Sequence, residues 1–211
     1  MCVDKNWIQK LKKLMVALLR GYLKTPMPKK KINTFDLFVD EVIKHEGGLV
    51  VDPVGDPGGT TKYGISLRFA GSIGLDIDKN GKTDKADIIA LSLLQAKDIY
   101  FEHFWSKING DILPRGIAFI VFDAAVNQGP SAAVKDLQAA VHQKRDGIMG
   151  DKTRLAAHQN YNIDTLHEIC ALRMKRYGLA GNFKPNALGW SRRLMRVHAF
   201  AIEVAKDNGI K

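Results

Sequence analysis

Cysteine is scarce in this chain. Two occur in 211 residues, Cys2 in a tail-like segment and Cys170 within an apolar helical pattern. No disulfide is expected between them, so a disulfide-stapled scaffold is excluded and synthesis in the cytosol fits. Period-two alternation is also scarce, and the chain reads as mainly α. Six histidines are scattered, and no pair has zinc-ligand spacing. There is no phosphate-binding glycine loop and no Ser-His-Asp order, which sets aside nucleotide hydrolysis and triad chemistry. No apolar run reaches the length of a bilayer span.

Acidic residues are nearly missing from the N-terminal stretch. Residues 1–31 hold nine Lys/Arg against Asp4 alone, a net +8 of the total +10. The remaining 180 residues carry 23 basic and 21 acidic side chains, so the body is almost neutral. A nucleic-acid binder needs its basic face on the folded domain, and no nucleic-acid partner is expected. Within the tail, Trp7, Ile8, Leu11, Leu14, Met15, Leu18, Leu19 and Tyr22 fall on one helical face, with lysines opposite. This pattern predicts a cationic amphipathic helix over residues 5–24 that lies in an anionic membrane interface. The other reading is a helix packed on the body. As a signal peptide it fits poorly, because the apolar run Leu14–Leu19 is short and Arg20 follows it. Residues 25–31, with Pro26 and Pro28, read as a linker.

The body opens with a predicted helix over Thr34–Glu46, with Thr34 as its N-cap. Phe35, Phe38, Val39, Val42 and Ile43 make one apolar stripe, and Glu46 extends it. Partial burial and the negative end of the helix dipole both favour a protonated carboxyl there, which suits a general acid. The loop after it, Asp52–Gly64, contains two Asp-Pro steps and four glycines. It also supplies Asp52, Asp56 and Thr61. An acid followed by a second carboxylate on a glycine-rich loop is the arrangement of a glycosidase, and it points to an enzyme that cuts a polysaccharide.

Further along, Asp76, Asp78, Asn80, Lys82, Asp84 and Asp87 fall at positions 1, 3, 5, 7, 9 and 12 of an EF-hand loop, with Gly81 at position 6. One structural Ca²⁺ is expected, Lys82 giving its backbone carbonyl. Asp87 stands where Glu is usual, and Thr83 where an apolar residue is usual. No cofactor is expected for the chemistry itself. Ser92 and Gln95 form a capping box for a helix through about Trp105. Residues 117–126 are apolar on almost every side, which predicts a central buried helix. That helix carries Asp123 and Asn127 on one face, either as core polar groups or lining a cleft. Ser131 is the expected cap of the next helix. Two more helices are expected near Asp164–Tyr177 and Asn186–Asp207.

Several segments occur in one order: His45-Glu-Gly-Gly-Leu49, Asp56-Pro-Gly-Gly-Thr-Thr-Lys-Tyr-Gly-Ile65, Phe122-Asp-Ala-Ala-Val-Asn-Gln-Gly-Pro130, Asp146-Gly…Gly150…Thr153 and Phe183…Gly189-Trp190. In these the chain resembles glycoside hydrolase family 108, the phage endolysins and secretion-activator muramidases with an EGGY-type motif, over roughly residues 34–205. The resemblance implies a lysozyme-like helical fold and hydrolysis of the β-1,4 bond between N-acetylmuramic acid and N-acetylglucosamine in peptidoglycan. It maps the catalytic Glu onto Glu46. Leu49 replaces the motif's tyrosine, the loop is one residue longer at Val54-Gly55, and Leu75–Asp87 looks like an insertion. A more distant similarity to phage-type lysozymes, through the spacing of Glu46, Asp56 and Thr61, implies that Asp56 and Thr61 position a water. Asp52 is the rival for the Asp role. Asp52, Tyr63, Asp123 and Asn127 are the expected substrate-binding residues.

These readings divide the chain into a tail (1–33), a catalytic region (34–124) and a helical peptidoglycan-binding-like region packed on it (125–211). The expected protein is a monomeric endolysin-type muramidase, made in the host cytoplasm and acting on the cell wall. The alternative is a calcium-dependent or membrane-active adaptor without turnover.

Overall fold

Asn33, not Thr34, caps the first helix. Its side-chain oxygen accepts from the Phe35 amide at 3.3 Å and its carbonyl from the Leu37 amide at 3.2 Å, so Thr34 is already inside α1 (Thr34–Glu46). A computed structural model describes residues 33–46 and 59–207. The expected tail helix, Asp52 and Asp56 lie outside the described residues.

The apolar stripe of α1 behaves as its spacing requires. Phe35, Phe38, Val39 and Val42 are buried, and Ile43 packs against the core edge. Phe38 meets Phe119 at a centroid distance of 5.1 Å, and Phe35 meets Trp105 and Phe122. A short antiparallel hairpin follows, β1 (Thr61–Lys62) and β2 (Ile65–Ser66), with Thr61 opposite Ser66. Its two turn residues, Tyr63 and Gly64, have φ of 51° and 78°. Two successive positive φ values make the tight turn whose twist suits a two-residue hairpin. The Ser66 hydroxyl then caps α2 (Leu67–Ser72) by accepting from the Phe69 amide at 3.2 Å.

After the Asp-rich loop come α3 (Lys85–Ala90) and α4 (Leu93–Tyr100), the latter opened by the expected Ser92/Gln95 capping box. The predicted continuation to Trp105 is helical but not α. Residues Phe101–Trp105 form a π turn, in which Phe104 and Trp105 are buried, and two 3₁₀ turns follow to Ile112.

The central helix α5 (Arg115–Gln128) is buried without interruption from Gly116 to Ala125. It packs against α1, α6 (Pro130–Ala140), α8 (Ile163–Gly178) and α9 (Phe183–Lys206). Its hydrophobicity on every side has this cause: neighbours surround it. Ser131 does not cap α6. Pro130 occupies the first helical position, where its missing N–H costs nothing, and Gly129 precedes it at φ 90°. Buried Gln138 of α6 fixes the Asp146–Gly150 turn, donating to Asp146 Oδ1 at 2.7 Å and accepting from the Gly147 amide at 2.9 Å. That turn leads into α7 (Asp151–Gln159). The division expected between residues 124 and 125 falls inside α5, and Asn33–Lys211 forms one compact unit.

Candidate active site

Glu46 is the last residue of α1, and three elements close around it. The first is the hairpin turn. A Cβ added at Gly64 would lie 2.8 Å from Glu46 Cβ and Cγ, so only glycine lets the turn sit on the glutamate stem. The second is α4. Tyr100, at its end, donates its hydroxyl to the Tyr63 carbonyl at 2.9 Å and so ties the turn down over Glu46. Burial pushes the Tyr100 phenol well above its ordinary range, and the charge of Glu46 adds to this, so it stays a protonated donor.

The third element is α9. Arg193 Nη1 lies 2.5 Å from Glu46 Oε1, while Nη2 lies 2.8 Å from Asp123 Oδ1. Asp123 is completely buried, and Arg173 of α8, equally buried, reaches its other oxygen at 2.5 Å. Arg173 also donates to the Tyr177 hydroxyl at 3.1 Å, and Tyr177 donates to Asn127 Oδ1 at 2.6 Å. Burial alone would push the Asp123 carboxyl up, but Arg173 and Arg193 outweigh it and hold it below the ordinary range. Burial likewise opposes the charge on Arg193, and Asp123 and then Glu46 outweigh that and keep the guanidinium firmly charged.

This geometry corrects one sequence expectation. Asp123 cannot touch a sugar, because it has no exposed surface and both its oxygens are held by guanidinium groups. It works inside the protein, on Arg193. Asn127, one helical turn on, is exposed beside the same network and remains open to a ligand. Thr61 lies on β1, with its hydroxyl donating to the Gly59 carbonyl at 3.1 Å, and Tyr63 is half-buried in the turn. Of the expected site residues, Tyr63 belongs to the turn that meets Glu46, Thr61 lies two positions before it on β1, and Asn127 joins the network through Tyr177. Sequence reasoning missed Arg193, Arg173 and Tyr100. A signal was available: Arg173 sits in the stripe Leu166, Ile169, Cys170, Tyr177, and Asp123 is the one acid on an otherwise apolar helix. Opposite charges on two buried stripes require each other.

The Asp-rich loop is a second candidate site. One carboxylate oxygen each from Asp76, Asp78 and Asp87 lies within 4.8 Å of the others. Asp76 accepts from the Asn80 and Gly81 amides, the latter at 2.9 Å, with Gly81 at φ 84°. Asp87, buried, accepts from the Ile77 and Asp84 amides. The Asp84 carboxylate caps α3 through the Ala86 amide at 2.7 Å instead of joining the cluster. An all-oxygen donor set of this kind fits a hard divalent cation. Cys170 offers no chemistry, since burial pushes its thiol up to about 12.

Residues 39–129 match the family model described as glycosyl hydrolase 108. A search of curated proteins gave no match. Among solved structures, one titled "Structure of Brucella abortus SagA" is 34% identical, over 84% of this chain and 98% of that one, with a TM-score of 0.75. The chain belongs to glycosyl hydrolase family 108. The lysozyme-like helical fold expected from the resemblance is therefore present. The family 108 assignment makes this protein a glycoside hydrolase of the N-acetylmuramidase type with peptidoglycan as its substrate. The matched stretch contains Glu46, the hairpin and α5, whereas Arg173 and Arg193 lie beyond it.

Proposed function

We propose that this protein is an endolysin-type muramidase that cleaves the β-1,4 bond between N-acetylmuramic acid and N-acetylglucosamine, with Glu46 as general acid. The observation that carries the reading is the placement of Glu46. It is a partly exposed carboxyl at a helix end, its stem roofed by a glycine turn, with the Arg193 guanidinium beside it to meet the charge left once its proton is given up. In this reading Asp56 or its rival Asp52 activates the water, and Thr61, on the hairpin whose turn roofs Glu46, orients it. A carboxyl separation of about 6.5–9.5 Å would give inversion and one near 5 Å retention. Tyr63, Asn127 and Asp52 line the sugar path.

The same proposal includes a structural Ca²⁺ held by Asp76, Asp78, Asn80, the Lys82 carbonyl and Asp87, with Asp84 reaching it through water, as position 9 often does. It also includes a site of action at the cell wall, reached with help from residues 5–24 at an anionic membrane. The test is turbidity loss of purified peptidoglycan with wild type and Glu46→Gln, followed by mass analysis of the fragments. Wild type should yield reducing N-acetylmuramic acid ends, and Glu46→Gln should lose about 10²-fold or more in rate. Reducing N-acetylglucosamine ends or a fully active Glu46→Gln would refute the assignment.

A further inference from the structure

We propose that Arg193 is the positioning residue of the acid, aimed at Glu46 by the buried Asp123–Arg173 pair. The proposal rests on the reading of Glu46 as general acid. A guanidinium is a rigid planar fork, so fixing two of its nitrogens fixes the third. In Arg193, Nη2 and Nε are both spent on Asp123, at 2.8 Å and 3.2–3.3 Å. Asp123 cannot turn, because Arg173 holds its other oxygen in a fully buried pair. The remaining nitrogen, Nη1, is therefore pointed at Glu46 Oε1 by the core and not by solvent.

Glu46 needs such a partner. Its stem is pinned under Gly64, but rotation of the terminal carboxyl is soft. The contact with Nη1 removes that freedom and occupies Oε1. The oxygen left to carry a proton is Oε2. In the chemical step Oε2–H gives its proton to the glycosidic oxygen, and the C1–O bond breaks with its electron pair on that oxygen. A water supplies hydroxyl to C1, its remaining proton passes to the water-activating Asp and from there to solvent, and Glu46 is reprotonated from solvent. The negative charge left on Glu46 meets a guanidinium already in place, so no group has to reorganise. Arg193 comes from the C-terminal helices, beyond the stretch that matches the family model. The half of the chain expected to bind the wall thus completes the active site.

The test uses the full chain and soluble peptidoglycan fragments, with Glu46→Gln as reference. Arg193→Gln should lower kcat by about 10²-fold, the scale of a misplacement near 1 Å, with KM little changed. Arg193→Lys should recover part of that loss, and millimolar guanidinium should restore activity to Arg193→Ala where equal NaCl does not. Asp123 keeps Arg173 in these variants, so melting temperature is the check on folding, and Arg193→Lys serves where a larger change prevents it. Wild-type kcat in Arg193→Gln, beside an inactive Glu46→Gln, would overturn this proposal alone. Failure of both Lys and guanidinium to restore rate in folded protein would also overturn it. Activity in Glu46→Gln would instead bring down the acid assignment beneath it.

Discussion

Replacing Gly64 by alanine separates the cost of a strained turn from the cost of a displaced acid. Gly64 has φ 78°, and an alanine there carries a backbone penalty of about 1–2 kcal/mol. Its new methyl would also stand 2.8 Å from Glu46 Cβ and Cγ, against an ordinary carbon contact of about 3.5–4.0 Å. The hairpin or the glutamate must therefore give way by about 1 Å, and it would also press on the Tyr100 hydroxyl. A shift of that size is expected to lower kcat roughly 10²-fold. Gly74 supplies the control. It has φ 66° and nothing within 4 Å of an added Cβ, so Gly74→Ala carries the backbone penalty without the displacement. Both variants should melt a few degrees lower, at about 2–4 °C per kcal/mol for a domain of this size. Only Gly64→Ala should be slow in a peptidoglycan turbidity assay. Equal kcat in the two variants would refute the argument that the turn positions Glu46.

Asp123→Asn leaves the buried Arg173 without a charged partner and Arg193 with Glu46 alone, and should cost about 3–5 kcal/mol, read by chemical denaturation. Because the folded Asp123 carboxyl lies below its unfolded value, its stabilisation is present above about pH 4 and is lost as pH falls through the folded value. The variant should therefore flatten the acid side of the melting-temperature profile, and an unchanged profile would count against the pairing. Calcium should raise the melting temperature and EDTA lower it, and unchanged melting together with no heat on titration would remove the metal from the proposal. Removing residues 1–31 should abolish binding to anionic vesicles while leaving hydrolysis of purified peptidoglycan nearly intact. Loss of folding on truncation, with no vesicle binding by the full chain, would make the tail a packing element instead.

Local patterns foretold much of the fold because their causes are local. The stripe of α1, the Ser92/Gln95 box and the all-apolar run of α5 are each legible within about fifteen residues. One miss was local in cause and the other was not. Asn33 and Thr34 are both good caps, and the spacing of the stripe fits either start. The π turn at Phe101–Trp105 has no signature in spacing, because the widened turn depends on how Phe104 and Trp105 reach the core.

The site divides along the same line. Glu46 could be found from its own helix, since a carboxylate at the end of an apolar stripe is conspicuous. Arg193 could not, because it stands 147 positions away in the chain and only the packing of α9 on α5 brings it to Asp123. Asp123 was noticed for a sound reason, as a charge on a buried helix, and given the wrong task. A carboxylate in that position has two ways to avoid an unpaired charge: open toward solvent and ligand, or find a cation inside. Sequence periodicity places it on the buried helix without choosing between the two. The choice is made by Arg173, which occupies an apolar stripe of its own and needs an anion as much as Asp123 needs a cation. Reading both stripes together would have paired them. Arg193 still needs the packing of α9 on α5, which alone brings the second guanidinium to Asp123 and its remaining nitrogen to Glu46.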